Sequence, residues 1–329
     1  MPWAPGVGRG VMRRPMGLGL VLVLLALAGC TAGGGRPAPA GASGSAPPSA
    51  KARAWVPGGP YAALGDSYTA GLQLQPAGGG PKGCGRSAAN YPSLVAQGLG
   101  LTGDQFTDAS CTSATTADLT GAQQVSGGPN PPQLDALNAR TRLVTVGIGG
   151  NDAGFTNVFT ECAEQGLLHL VAVAKGQAPC KAHYTAADGS DQLSGVLKTV
   201  GDRVSAVLRQ VAQRSPQAKV FLVGYPALLP SDPASCGGLL GDTVSKGDLA
   251  FLAEQEQRLN TVLRDQAAAA GAVYVDTYAP TQGHDMCAGQ SARWVEPPLP
   301  AGGMAPLHPN LAGQQAMAAA VLGSIRAAR

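Results

Sequence analysis

Charge is scarce in this chain. Only 13% of its 329 residues are Asp, Glu, Lys or Arg, against roughly 25% in an average soluble domain. The net charge is +3, and Arg9, Arg13 and Arg14 account for all of it, leaving 20 basic and 20 acidic residues in the remainder. A neutral body without a basic stripe is a poor partner for nucleic acid. Long transmembrane runs are also lacking. The apolar stretch at residues 16–29 is 14 residues long, short of the roughly 20 that a membrane span needs. There is no C-x-x-C, which weakens a zinc or thioredoxin-like reading. The glycines at 147–150 do not form G-x-G-x-x-G, and no Walker A, H-E-x-x-H or G-x-S-x-G occurs. No internal repeat is visible, and no metal or organic cofactor is suggested. What the chain does have is 44% hydrophobic residues, too many for a disordered protein.

The N-terminus is expected to be an address. The three arginines precede the uncharged run, which ends Leu27-Ala28-Gly29-Cys30. This pattern reads as a signal peptide over residues 1–29. It is similar to a bacterial lipobox, in which Cys30 becomes the acylated first residue. Of residues 31–54, 20 are Gly, Ala, Ser or Pro. Such a segment buries too little to offset its ordering entropy. Residues 30–54 are therefore read as a lipidated cysteine and tether, and 55–329 as the working domain. The expected location is the outer face of the cell membrane. Beyond Cys30 six cysteines remain: Cys84, Cys111, Cys162, Cys180, Cys236 and Cys287. An even number in an exported chain suggests disulfides, with 15 pairings open.

Apolar runs at residues 60–64, 143–149, 219–224 and 272–276 read as strands, and residues 105–110 read as a short second strand. Residues 90–99, 193–214, 246–270 and 310–326 read as helices, with Asn310 as an N-cap. Continuous apolar strands alternating with helices imply a parallel sheet covered on both faces. Ligands of such sheets sit at the carboxyl ends of the strands.

Three segments at those ends can carry chemistry. The first strand runs into Gly65-Asp66-Ser67-Tyr68, where a Ser hydroxyl can face the crevice, although serines in this position commonly serve as N-caps. The third ends Gly147-Ile148-Gly149-Gly150-Asn151-Asp152, where an Asn amide can donate to developing negative charge. Of four histidines, His308 precedes Pro309-Asn310 and the last helix, a place suited to a general base. His284 is the second candidate, His169 reads as packing, and His183 reads as a loop residue.

Together and in this order, Gly65-Asp66-Ser67, Gly149-Gly150-Asn151-Asp152 and His308-Pro309-Asn310 resemble the SGNH (GDSL-type) hydrolases. The six cysteines, Asn90-Tyr91-Pro92 and the segment after Cys111 resemble the secreted actinobacterial esterase and lipase branch. The resemblance implies a flavodoxin-like three-layer α/β/α sandwich with a mainly parallel five-stranded sheet. It implies disulfides Cys84–Cys111, Cys162–Cys180 and Cys236–Cys287. It makes Ser67 the nucleophile and His308 its base. The oxyanion would meet the Ser67 N–H, the Asn151 side chain and the Ser113 backbone N–H. Two departures stand out. Ser113 occupies a position where the family usually has Gly. Ala305 occupies the position of the usual acid, so its carbonyl is expected to orient His308, with Asp285 and Glu296 as remote substitutes. Asp66 is expected to be structural.

The expected function is hydrolysis of an acyl ester, lipid or glycan, through an acyl-Ser67 intermediate. The domain is expected to be a monomer, held to the membrane by its N-terminal lipid. The alternatives are a non-catalytic binding lipoprotein of the same fold, a glycan O-deacetylase, or a structural envelope lipoprotein.

Overall fold

A computed structural model describes residues 58–170, 177–237 and 244–328. The signal peptide, Cys30 and the tether lie outside the described residues. Five strands form one sheet: β1 (Tyr61–Gly65), β2 (Phe106–Asp108), β3 (Leu143–Gly147), β4 (Lys219–Val223) and β5 (Val273–Val275). All neighbours are parallel, in the order β2-β1-β3-β4-β5. This is the doubly wound order whose switch point lies between β1 and β3.

Alternation along the strands builds both faces. Ala62, Leu64, Val144, Val146 and Leu222 pack with Val200, Val204, Val207 and Val211 of α5 (Leu193–Arg214) and with Leu259 and Leu263 of α6 (Lys246–Ala269). Tyr61, Ala63, Leu143, Phe221 and Val223 face the other way. They meet Tyr91 and Val95 of α2 (Tyr91–Gly98) and Met317, Val321 and Ile325 of α7 (Leu311–Ala327). With both faces covered, the strands read as unbroken apolar runs.

A third cluster roofs the carboxyl ends of the strands. It joins α3 (Phe155–Leu170), α4 (Pro179–His183), Leu228 and Leu229 after β4, and Met286 and Val295. Disulfides pair Cys84 with Cys111, Cys162 with Cys180 and Cys236 with Cys287. The last two stitch this roof, and the first ties the loop after β2 to the loop after α1 (Ser67–Ala70).

Two helices differ from the sequence expectation. α3 and α4 fall where no helix was expected, and His183 is the last residue of α4 rather than a loop residue. His169 lies on α3, and its side chain lies outside the described residues. Val196 of α5 is exposed. The remaining boundaries shift by a residue or two, as helix and strand ends commonly do.

Candidate active site

Ser67 stands at the switch point, two residues past the end of β1. The N-cap of α1 is not Ser67 but Asp66, whose Oδ1 accepts from the Tyr68 N–H at 2.9 Å. That division of labour leaves the Ser67 hydroxyl free, and it lies 2.7 Å from Nε2 of His308. Buried Gln133 fixes the last residue of β1: its Oε1 accepts from the Gly65 N–H at 2.7 Å and its Nε2 donates to the Gly65 carbonyl at 2.9 Å.

His308 sits on a loop clipped antiparallel to residues 295–296. The Glu296 N–H donates to the His308 carbonyl at 3.0 Å, and the Leu307 N–H donates to the Glu296 carbonyl at 3.1 Å. The Tyr68 hydroxyl donates to the Leu307 carbonyl at 2.6 Å, and its ring lies 4.8 Å from the imidazole. The other imidazole nitrogen, Nδ1, lies 2.6 Å from the carbonyl of Pro306. This corrects the expectation for Ala305. Leu307 takes a left-handed φ of 59°, which folds the chain back so that the carbonyl two residues upstream, not three, meets the ring. A carbonyl only accepts, so Nδ1 carries the proton and Nε2 is left as the acceptor for Ser67. Burial lowers the imidazole from its ordinary pKa, opposed by the Pro306 carbonyl. The ring is thus neutral near pH 7 and ready to take a proton.

The remote acids are occupied elsewhere. Glu296 pairs with Arg293 and accepts from Asn310 Nδ2 at 3.0 Å. Asp285 accepts from the Cys287 N–H. His284 stacks on Trp294 at 3.6 Å and does not line the cavity described below.

The expected oxyanion donors meet Ser67 in one cavity. Ser67, Ser113, Asn151 and His308 all line a cavity of about 330 Å³. Asn151 spends one amide hydrogen on the Ala114 carbonyl at 2.9 Å, and its NH₂ holds a second. Ser113 has a φ of 60°, a left-handed conformation that glycine adopts without strain. Asp152 joins the two oxyanion loops: its carboxylate accepts from the Thr116 N–H at 2.9 Å and the Thr116 hydroxyl at 2.6 Å, with Arg203 at 3.3 Å. The Cys111 N–H donates to the Gly65 carbonyl at 3.0 Å, which docks the Ser113 loop on the end of β1.

Tyr225 has no counterpart in the sequence reading. Its hydroxyl accepts from the Gly150 N–H at 2.7 Å and donates to Asp66 Oδ2 at 2.6 Å. Burial pushes the Asp66 carboxyl up to about 7, resisted by the hydrogen bond from Tyr225. Glu256, also on the cavity wall, is buried and accepts from the Leu228 N–H at 2.9 Å. Burial raises its carboxyl well above the usual range. The rest of the wall includes Leu72, Phe155, Leu228, Leu259 and Leu307.

The sequence model of the GDSL-like Lipase/Acylhydrolase family matches residues 63–316. Lipase 2 of Streptomyces coelicolor is 39% identical over 262 residues, covering 78% of this chain and 83% of that protein. The crystal structure of phospholipase A1 from Streptomyces albidoflavus NA297 superposes with a TM-score of 0.64 at 28% identity, covering 81% of this chain and 98% of the other. An extracellular lipase from Streptomyces rimosus gives 0.62 at 27% identity, over 83% of this chain and all of that one.

Proposed function

Because the chain belongs to the GDSL-like Lipase/Acylhydrolase family, and is a carboxylic ester hydrolase of it, we propose that it works through an acyl-Ser67 intermediate with His308 as general base. The observation that carries this reading is the 2.7 Å approach of Ser67 Oγ to His308 Nε2, with Nδ1 committed to a carbonyl. A serine hydroxyl is a weak nucleophile until a base takes its proton.

In the first half-reaction Ser67 Oγ attacks the ester carbonyl carbon while its proton passes to His308 Nε2. The tetrahedral oxyanion is held by the N–H groups of Ser67 and Ser113 and the Asn151 amide. Collapse breaks the bond to the alcohol, which leaves with the proton from His308. Water then gives a proton to Nε2 and attacks the acyl carbon; collapse breaks the bond to Ser67 Oγ, which takes the proton back from Nε2 as the acid leaves. A carbonyl in place of a carboxylate on Nδ1 still fixes the tautomer and ring direction, which is the larger part of the third triad member's work.

The leucine and phenylalanine wall favours an apolar acyl group, and 330 Å³ exceeds what an acetyl fills. The substrate class is therefore a lipid or other long-acyl ester rather than an O-acetylated glycan. Export fits the three disulfides and the extracellular location of the Streptomyces rimosus lipase. Acylation of Cys30 would hold the enzyme at the outer membrane face.

The test is hydrolysis of p-nitrophenyl esters from C2 to C16 by the full chain beside Ser67→Ala. The expected result is hydrolysis that peaks above C4 and vanishes in the variant. Equal turnover by the two proteins would sink the acyl-serine mechanism, and a C2 optimum would point to deacetylation instead.

A further inference from the structure

Two loops of this site come from strands that are neighbours in the sheet but, from Gly65 to Gly147, 82 residues apart in sequence. One carries the nucleophile after β1, and the other carries Asn151 after β3. A single side chain bridges them beside the cavity. The Gly150 N–H has no choice but to donate, so the Tyr225 hydroxyl accepts from it and sends its own proton to Asp66 Oδ2. Asp66 Oδ1 meanwhile accepts from the Tyr68 N–H. The bridge is held from behind: Asn260 of α6 takes the Tyr225 N–H on Oδ1 at 2.8 Å and donates to the Tyr225 carbonyl at 3.0 Å. The Tyr225 ring stands edge-on to Tyr68 at 5.1 Å. The approach also dictates the residue at 150, since a Cβ there would lie 3.0 Å from the Tyr225 hydroxyl and ring.

The geometry points to Tyr225 as a positioning residue for the reaction, with Asp66 as the acceptor that gives the bridge its direction. Together they hold the Asn151 loop in register with Ser67. The inference rests on the acyl-serine reading above. A carboxylate at Asp66 accepts the tyrosine proton. A protonated Asp66 donates instead and leaves that proton without an acceptor, so turnover depends on the ionised form. The groups facing Asp66 are Tyr68 on α1, Tyr225 after β4 and Asp152 after β3, with Tyr91 of α2 behind. Burial is the main reason that its carboxyl titrates near 7.

The experiment measures kcat and KM from pH 5 to 9 for the full chain, Tyr225→Phe, Asp66→Asn and the double variant, with melting temperatures alongside. Asn is as good an N-cap as Asp, so Asp66→Asn keeps α1 while forcing the donating state. Wild-type kcat is expected to fall through a limb near pH 7, above the limb that His308 sets. Each single variant loses kcat by about 10-fold with KM unchanged, less than the 10²-fold or more of a lost direct donor. Both lack the limb near pH 7, and the double variant is no worse than the poorer single one. Lowered melting temperatures with wild-type kcat and pH profile would overturn the bridge, as would additive losses. Absence of Ser67-dependent hydrolysis in the wild type is a different failure, and brings down the acyl-serine reading itself.

Discussion

At the scale of single residues, Ser113 shows how a side chain that the family pattern disfavours is accommodated. Its backbone stands in the left-handed region, where a Cβ costs on the order of 1–2 kcal/mol. What the proposed mechanism asks of this position is the N–H, which every residue but proline supplies. Ser113→Gly is therefore expected to keep kcat. It should be as stable as the wild type or up to about 1 kcal/mol more so, since relief of strain outweighs the flexibility gained by the unfolded chain. Ser113→Val, β-branched and stiff, should lose about 1–2 kcal/mol. Thermal melts of the three proteins check this. A Gly variant that melts several degrees lower would mean that the serine side chain makes a stabilising contact of its own. The same residue-scale logic explains His308. A carbonyl two residues upstream serves as the orienting group because Leu307 accepts a strained turn, and no carboxylate is needed on Nδ1.

At the scale of elements, the site is an agreement between loops. Asp152 receives Thr116 from the loop that carries Ser113, so one carboxylate sets the distance between the two proposed oxyanion donors. Asp152→Ala would strand the Thr116 N–H and hydroxyl, at a cost of about 1–3 kcal/mol. It should also reduce kcat about 10-fold by loosening the donor pair. An unchanged kcat in a folded Asp152→Ala protein would show that the loops hold their spacing without it. These couplings also mark the limit of what sequence discloses. The strands were legible because burial on both faces makes them continuous apolar runs, and Ser67, Asn151 and His308 were legible because each follows such a run or precedes a helix start. Gln133, Tyr225 and Asn260 were not. Each is a polar residue whose partners lie 14 to 159 positions away, and hydrogen bonds across such separations leave no local pattern. The shift from Ala305 to Pro306 escaped for a related reason, because leucine is not a residue that announces a left-handed turn. α3 escaped because its buried face, Val158, Phe159 and Cys162, packs into the roof cluster rather than on the sheet.

At the scale of the whole molecule, the described domain begins at the amino end of β1, and Ser67 lies past its carboxyl end. The five residues of β1 set these ends about 17 Å apart. The cavity beside Ser67 thus lies at the end of the sheet away from the first described residues. No helix among the described residues is long and apolar enough to cross a membrane. A hold on the membrane by the route proposed here therefore depends on Cys30. One acyl chain gives only marginal, reversible binding, whereas two or more give stable anchoring, so a fully modified cysteine should keep the enzyme with membranes through a salt wash and release it only in detergent. In a bacterial host that processes lipoproteins, the full chain is expected to fractionate in that way. Cys30→Ser should move Ser67-dependent activity into the soluble exported fraction with kcat unaltered, because the domain's own machinery begins beyond residue 60. Wild-type activity found free in the medium, indistinguishable from Cys30→Ser, would reduce residues 1–30 to an ordinary export signal and make the enzyme a freely diffusing one.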